Sequence, residues 1–532
     1  MTATLVCTLL FLAPIVGSLL ATNDAIPLPL LIGLGIGAVP YIAIVLYKRR
    51  FLEGSLAALV VLSTMGADVP ILPGATDYPG HVIGDILLVY GAILALGTVL
   101  VWRQESFEHS LPTLSLAAFV GWSIVSALFG GGPKSTIALQ YSMFMGLGLV
   151  VFVLVQHIIR TGYIEFCSLV AMMVVAVAGH TAVAVAQMFN QGAFGLHRLG
   201  EGADIVVATA SFPFGDVAMG TFVSGFTAMS FNLANLLVLT IPILLVFVAR
   251  AGRARPLISL WAVVSFGVVR ATTTDAGRGG LLVAIVCLCS LLLYTYRRRA
   301  ISIFRSQSDK WTGSALQIFP AILGPLVVLY PSSAAGESSA RSDVTESSNA
   351  KPSANHSQEG TTPAKSAVED PTAVEELLEW LTSSSVPLFD LSNIGIRLQQ
   401  YLVGIELFVR NPLVGIGGMN YVLMAEQYGI TPRPGERLPL PIHNIYVALL
   451  AETGLVGFLL YVGTLALVLV YGVRLLRTPA TDRSLVAATV AGIVGTLAFG
   501  FWDILQLYSG TGFFPLWILA GAIVGEYSRV TH

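Results

Sequence analysis

The sequence predicts an all-α fold, a polytopic transmembrane helical bundle of about 12 to 14 spans with one large extracytoplasmic loop carrying short amphipathic helices. Three observations predict it. The chain is 55% hydrophobic and only 11% charged, against roughly 25% charged residues in soluble domains. Apolar runs of about 18 to 25 residues, the length that crosses a hydrocarbon core of roughly 30 Å, recur from the first residues to the last. Lys and Arg gather in every second connection between those runs. The mean hydropathy of +0.80 agrees.

Taken in order, spans are expected to begin near residues 3, 28, 51, 82, 111, 136, 164, 219, 257, 279, 314, 442, 484 and 511. The first run lacks a basic n-region and is expected to be a span, not a cleaved signal. Basic residues stand at Lys48-Arg49-Arg50, Arg103, Arg160, Arg250 with Arg253 and Arg255, Arg297-Arg298-Arg299, Arg474 with Arg477 and Arg483, and Arg529. The positive-inside rule then puts both termini in the cytoplasm and the alternate loops outside. Glu53 and Asp68 make the span near residue 51 the least regular.

One outward connection dwarfs the rest, so the chain divides into N-terminal transmembrane helices over 1–330, the large loop over 331–441, and C-terminal transmembrane helices over 442–532. Within the loop, 331–371 is rich in Ser, Ala, Glu, Asn and Lys and too poor in large apolar residues to fold. Amphipathic helices are expected over 372–411. The first has Val374, Leu377, Leu378 and Leu381 on one face. The second has Leu398, Tyr401, Leu402, Ile405 and Phe408 on one face and ends at Arg410-Asn411-Pro412, because proline disfavours helix in the residue before it. Gly415, Gly417 and Gly418 follow as a tight turn.

The net charge of -2 argues against a nucleic-acid partner. Cys7, Cys167, Cys287 and Cys289 lie in apolar runs and form neither a disulfide framework nor a zinc site. No metal-ligand motif and no phosphate-binding Gly-Lys-Ser/Thr loop is present in the sequence, so no metal and no cofactor is expected.

The candidate chemistry is polar. His443 stands where the long loop ends and a membrane helix begins, and an imidazole at such a boundary suits proton transfer. A plainer role for it is to satisfy the helix N-terminus. Asn444 caps the helix or orients the imidazole, while Gly454 and Gly457 form a small-residue contact that mounts it. Arg278, in Asp275-Ala276-Gly277-Arg278-Gly279-Gly280, and Arg397, one turn before Tyr401, can grip a diphosphate bidentately. Alternatively Arg278 pairs with Asp275, and Arg397 lies on a solvated face. Arg198, beside His197, is a third candidate phosphate ligand or a solvated loop charge. His180, Gln187, Asn232 and Asn235 are expected to make interhelical hydrogen bonds.

Three segments together resemble the superfamily of O-antigen ligases and O-antigen polymerases: the run from Arg410 to Tyr421 with its Asn-Pro-Leu-x-Gly-x-Gly, then His443-Asn444-Ile445-Tyr446, then Ala451-Glu452-Thr453-Gly454-Leu455-Val456-Gly457. Arg278-Gly279-Gly280 looks like that family's Ser-Arg-Gly position, with Gly277 in place of the serine. Gly220-Thr221-Phe222 and Asn232 resemble its Gly-Thr-Phe-x-x-x-Asn region, although the arginine usually preceding it is missing.

The resemblance implies transfer of a glycan from a polyprenyl-diphosphate carrier to a glycan, lipid or protein acceptor, on the outer face of the bilayer, without metal and with inversion. His443 would be the general base, and Arg278 and Arg397 would bind the diphosphate. The alternative from another class is a transporter or lipid flippase for a lipid-linked or small anionic substrate, whose key residues should lie near mid-membrane.

Overall fold

The computed structural model describes residues 51–66, 97, 109–196, 200–202, 205–212, 215–306, 394–430 and 439–531. Its elements in chain order are α1 (Phe51–Thr64), α2 (Leu111–Phe129), α3 (Ser135–Arg160), α4 (Phe166–Asn190), β1 (Val206–Phe212), β2 (Gly215–Thr221), α5 (Ser230–Arg250), α6 (Arg255–Ala271), α7 (Asp275–Ser306), α8 (Ile394–Arg410), α9 (Tyr421–Met424), α10 (Ile445–Leu475), α11 (Arg483–Phe499), α12 (Leu505–Tyr508) and α13 (Gly510–Thr531). Among the described residues seven helices are long and apolar enough to cross a membrane. The protein is an all-α, multi-pass membrane protein. The expected spans near residues 3, 28, 82 and 314, the tether over 331–371 and the first amphipathic helix lie outside the described residues.

Two groups of helices share the bundle. In one, α13 is buried on every side from Gly510 to Glu526, as a helix with no polar face must be. It lies against α3, with α2 and α10 beside them. Since lipid is as apolar as leucine, close van der Waals approach must hold such helices together. Gly521 and Gly525 supply that approach, because a Cβ at either would meet the main-chain oxygen of Phe152 (2.7 Å) or Gln156 (2.5 Å). Phe144, Phe513, Tyr461 and Trp517 fill the space between, with ring centroids 4.5 Å apart for Phe144 and Phe513 and 5.7 Å for Tyr461 and Trp517.

In the second group α11 packs on α5 and α7. Gly280 and Gly495 face each other at the crossing, where a Cβ on either would lie 2.9 or 2.8 Å from the other's carbonyl oxygen. This crossing brings the N-terminus of α7 beside the C-terminus of α11. At the other end of α11, Arg250 pairs with Asp482 and Ser484, and Arg477 Nε donates to the Tyr294 hydroxyl at 3.0 Å. Burial alone would raise the Asp482 carboxyl, but the Arg250 hydrogen bond and charge, with Leu485 N–H and Ser484, hold it below its ordinary value.

Two expectations need correction. The span expected near residue 219 begins at Ser230, because Phe222, Gly225 and Ala228 take φ of 59, 59 and 64°. Left-handed residues in that run cannot continue a right-handed helix. Ahead of them β1 and β2 pair antiparallel, Val206 opposite Thr221 and Phe212 opposite Gly215, a hairpin the periodicity does not announce. Buried Glu201 anchors the preceding loop, accepting from Gln187 Nε2 (2.8 Å) and from the main-chain N–H of Phe194 and Leu196 (2.7 Å each).

Of the polar residues expected to join helices, His180 does so. Phe226 N–H donates to its Nδ1 at 3.3 Å, so the Nε2 hydrogen points to Thr64 Oγ1 at 2.9 Å on α1. Gln187 serves the loop instead, and Asn232 donates to the Thr227 carbonyl at 2.7 Å.

Candidate active site at the start of α10

The second expected amphipathic helix is α8, and it ends at Arg410. Its protein-facing side differs from the expected one: Gln400, Val403, Gly404 and Leu407 are buried, whereas Leu402 and Ile405 are exposed. Apolar residues lie on both faces, and Gly404 decides between them. A Cβ there would lie 2.7 Å from Ile442 and from Val447, so α8 crosses the entry to α10 at this point.

Asn444 is the N-cap of α10. Its Oδ1 accepts from the N–H groups of Tyr446 (2.9 Å) and Val447 (3.1 Å), two of the donors a helix start leaves open. Its Nδ2 donates to the Phe501 carbonyl at 3.1 Å, and Ile445 N–H donates to Gly500 O at 2.9 Å. The α11–α12 turn is thereby stitched to the residue after His443.

His443, half-buried, is held from α8. Tyr401 donates its hydroxyl to the His443 carbonyl at 2.8 Å, with Phe501 O at 3.3 Å, while His443 Nδ1 lies 2.9 Å from Gln400 Oε1. Burial raises the Tyr401 phenol above its ordinary value, opposed by the Arg397 charge and a hydrogen bond with Asn444, and reinforced by Asp503. Arg397 and Asp503 therefore both act on the group that clamps His443.

Arg278 occupies the first turn of α7, half-buried, with Nη1 3.4 Å from Asp275 Oδ1 and Nε buried without a partner among the described residues. Its neighbour Gly279 lies against the Trp502 ring, 3.6 Å from a Cβ built there. Gly277, where the resemblance anticipates serine, has no room for a side chain: Ala234 and the Thr274 hydroxyl occupy the space. That hydroxyl accepts from Gly277 N–H at 3.2 Å.

The starts of α7 and α10 and the middle of α8 thus converge on residues 500–503. Arg198 and His197 lie outside the described residues.

Below His443 the α10 backbone is broken. Gly454 has φ 68° and ψ -176°, a region open to glycine almost alone. Leu455 N–H leaves the helix to donate to Pro412 O (2.8 Å). The freed carbonyls find other donors: Ala451 O takes Ile416 N–H (3.0 Å), Glu452 O takes Gly417 N–H (2.9 Å) and Thr453 O takes Trp122 Nε1 (2.9 Å). Ser126 Oγ reaches Val414 O (2.6 Å) and Glu452 O (2.8 Å).

The close contact at Gly454 is therefore with the 412–414 backbone, where a Cβ would collide with Leu413, and not with a second helix. Gly457 faces Thr453 across the break and Trp122 of α2. Gly415 and Gly417, at φ 71 and 83°, shape the loop that fills the break. The buried Glu452 carboxyl locks it further through hydrogen bonds with Tyr508 and the main chain of Met419 and Tyr421.

The apolar bundle, its glycine crossings and a polar junction at one end of the helices fit a multi-pass membrane protein with a candidate site at that end of the bundle. Residues 262–462 match the family model described as O-antigen ligase. Over that interval the chain is similar to O-antigen ligases, which supports the superfamily resemblance carried by its motifs. The interval contains Arg278, Arg397, His443, Asn444, Gly454 and Gly457. No curated protein matches the chain.

Gln400, Tyr401 as a clamp, and the 500–503 turn were not identifiable as site residues from local pattern. The available signals were a glutamine three residues after Arg397 on an amphipathic helix and an aspartate, Asp503, inside an apolar run.

Proposed function

We propose that the protein transfers a glycan from a polyprenyl-diphosphate carrier to an acceptor hydroxyl, with His443 as general base and Arg278 and Arg397 holding the diphosphate. The observation that carries this reading is the convergence of three motif-bearing segments on the 500–503 turn. Asn444 and Tyr401 both bond Phe501, and Gly279 touches Trp502.

The acceptor oxygen attacks the anomeric carbon as the bond from that carbon to the phosphate oxygen breaks. The acceptor proton passes to the His443 imidazole, and the charge that grows on the leaving diphosphate meets two guanidinium groups. In-line attack inverts the anomeric centre. Arginine supplies the positive charge, so this account is metal-independent and calls on no cofactor. Arg198 is a further candidate for the donor. Asn444, Gly454 and Gly457 act by fixing the histidine's helix.

Arg250 and Arg477 lie at the opposite end of α11 from the site. The positive-inside rule assigns that end to the cytoplasm, and with it both termini. The site and the long loop are then extracytoplasmic, where a lipid-linked glycan and a glycan, lipid or protein acceptor meet.

A transport reading draws on the discontinuity of α10 at Gly454, since transporters build their sites on broken helices. Here the carbonyls of Ala451, Glu452 and Thr453 already have protein donors, which favours a filled structural break.

The test is incubation of the purified protein with a lipid-linked glycan and a candidate acceptor. Release of polyprenyl diphosphate with extension of the acceptor is the expected result. A ladder from lipid-linked units alone indicates a polymerase, and a single addition to a lipid or protein indicates a ligase. Translocation of the intact donor without release would contradict the proposal.

A further inference from the structure

Gln400 is buried at 1% exposure on the same face of α8 as Val403 and Leu407. Its Oε1 lies 2.9 Å from His443 Nδ1, and its Nε2 has no partner among the described residues. A half-satisfied buried amide is a worse structural element than an apolar side chain of the same size. The residues that follow it on that face, Val403, Gly404 and Leu407, are buried and not polar, so packing against them does not call for an amide at this position. What the amide supplies is an acceptor directed at one nitrogen of the imidazole.

We infer that Gln400 is a positioning residue that holds His443 in the tautomer with the proton on Nδ1, leaving Nε2 as the nitrogen that receives the acceptor's proton. The inference rests on the glycan-transfer reading and deepens it. In a neutral imidazole one nitrogen donates and the other accepts, so an oxygen fixed on Nδ1 selects which is which. The ring is also held in direction, because Tyr401, the next residue of α8, clamps the His443 carbonyl. One helix thus aims the ring and sets its proton, and three residues before Gln400 it carries Arg397.

Titratable and charged groups at this junction include Arg397 and Tyr401 from α8, Asp503 from the turn and Tyr446 from α10. Replacing Gln400 leaves each of these in place, and the spectrum below assigns the change to the imidazole.

Two variants and one spectrum test the inference. Gln400→Leu should lower kcat by about tenfold or more with the donor KM unchanged. Gln400→Glu, which can only accept at neutral pH, should keep most activity and move the acid limb of the rate profile up by about one pH unit or more. In protein with 15N-labelled histidine, the signal that disappears in His443→Ala should show a protonated Nδ1 in the wild type and lose that signature in Gln400→Leu.

A protonated Nε2 in the wild type, or wild-type kcat in Gln400→Leu with an unmoved acid limb in Gln400→Glu, would overturn it. The spectrum needs no turnover. An Nδ1-protonated ring in a protein that transfers no glycan would defeat the transfer reading while upholding the tautomer.

Discussion

The hydroxyl of Tyr401 donates to the main-chain carbonyl of His443 at 2.8 Å across 42 residues of chain. It also reaches Phe501 O at 3.3 Å, so one phenol ties α8 to the start of α10 and to the α11–α12 turn. Tyr401→Phe should cost about 1 kcal/mol in thermal unfolding and lower transfer more than donor binding. An unchanged melting temperature and rate would show that the clamp is idle.

The same phenol sets an alkaline limit. Its value is raised above 10.0, chiefly by burial, so folding favours the protonated form. That contribution is complete below the ordinary tyrosine value and is lost as pH rises from 10.0 through the folded value. Wild-type stability should therefore fall above about pH 10, and Tyr401→Phe should lack this component. Melting curves of the two proteins against pH compare them directly.

Gly454 and Gly463 both lie within α10, but only the first needs to be glycine. Gly454→Ala forces a side chain into φ 68°, ψ -176° and against Leu413. It should lose about 2 kcal/mol or more. At Gly463 nothing lies within 4 Å of a Cβ, and Gly463→Ala should be neutral or gain about 0.5 kcal/mol. Equal effects in the two variants would contradict a specific break at Gly454.

Trp122 and Ser126 carry donors from α2 to the carbonyls around that break. Trp122→Phe leaves the Thr453 carbonyl without its indole partner, and Ser126→Ala takes the hydroxyl from the Val414 and Glu452 carbonyls, of which Glu452 O keeps Gly417 N–H. Each should cost about 1 to 3 kcal/mol. Because the groups share one loop, the double variant should lose less than the sum. Strict additivity would argue that the two contacts act apart.

Arg278 and Arg397 are proposed to hold the diphosphate, and a lysine keeps the charge while losing the bidentate fork. Arg278→Lys and Arg397→Lys should each lower kcat/KM for the donor by about tenfold or more, with folding intact. Full activity in both would remove the arginines from the donor site.

The helices of the bundle were legible where apolar runs are flanked by polar breaks. Starts expected near 111, 136, 164, 257, 484 and 511 fall at Leu111, Ser135, Phe166, Arg255, Arg483 and Gly510. The 219 start was not legible, because the left-handed turns at Phe222 and Ala228 come from loop contacts and not from composition. Nor was the packed face of α8, where Gly404 against Ile442 outweighs the apolar stripe.

At the candidate site the motif glycines and His443 could be read from spacing. Their partners could not: Phe501 lies 57 residues from Asn444, and Trp122 lies 331 residues from Thr453. Such pairings belong to the tertiary arrangement and leave no local trace.

The central claim is that His443 takes the proton of the acceptor hydroxyl. The direct measurement is single-turnover transfer by purified His443→Ala, with donor binding and melting temperature followed on the same preparation. The account predicts a loss of about 100-fold or more in rate, with donor affinity and stability close to wild type. Transfer at the wild-type rate in a folded, donor-binding His443→Ala protein would contradict it.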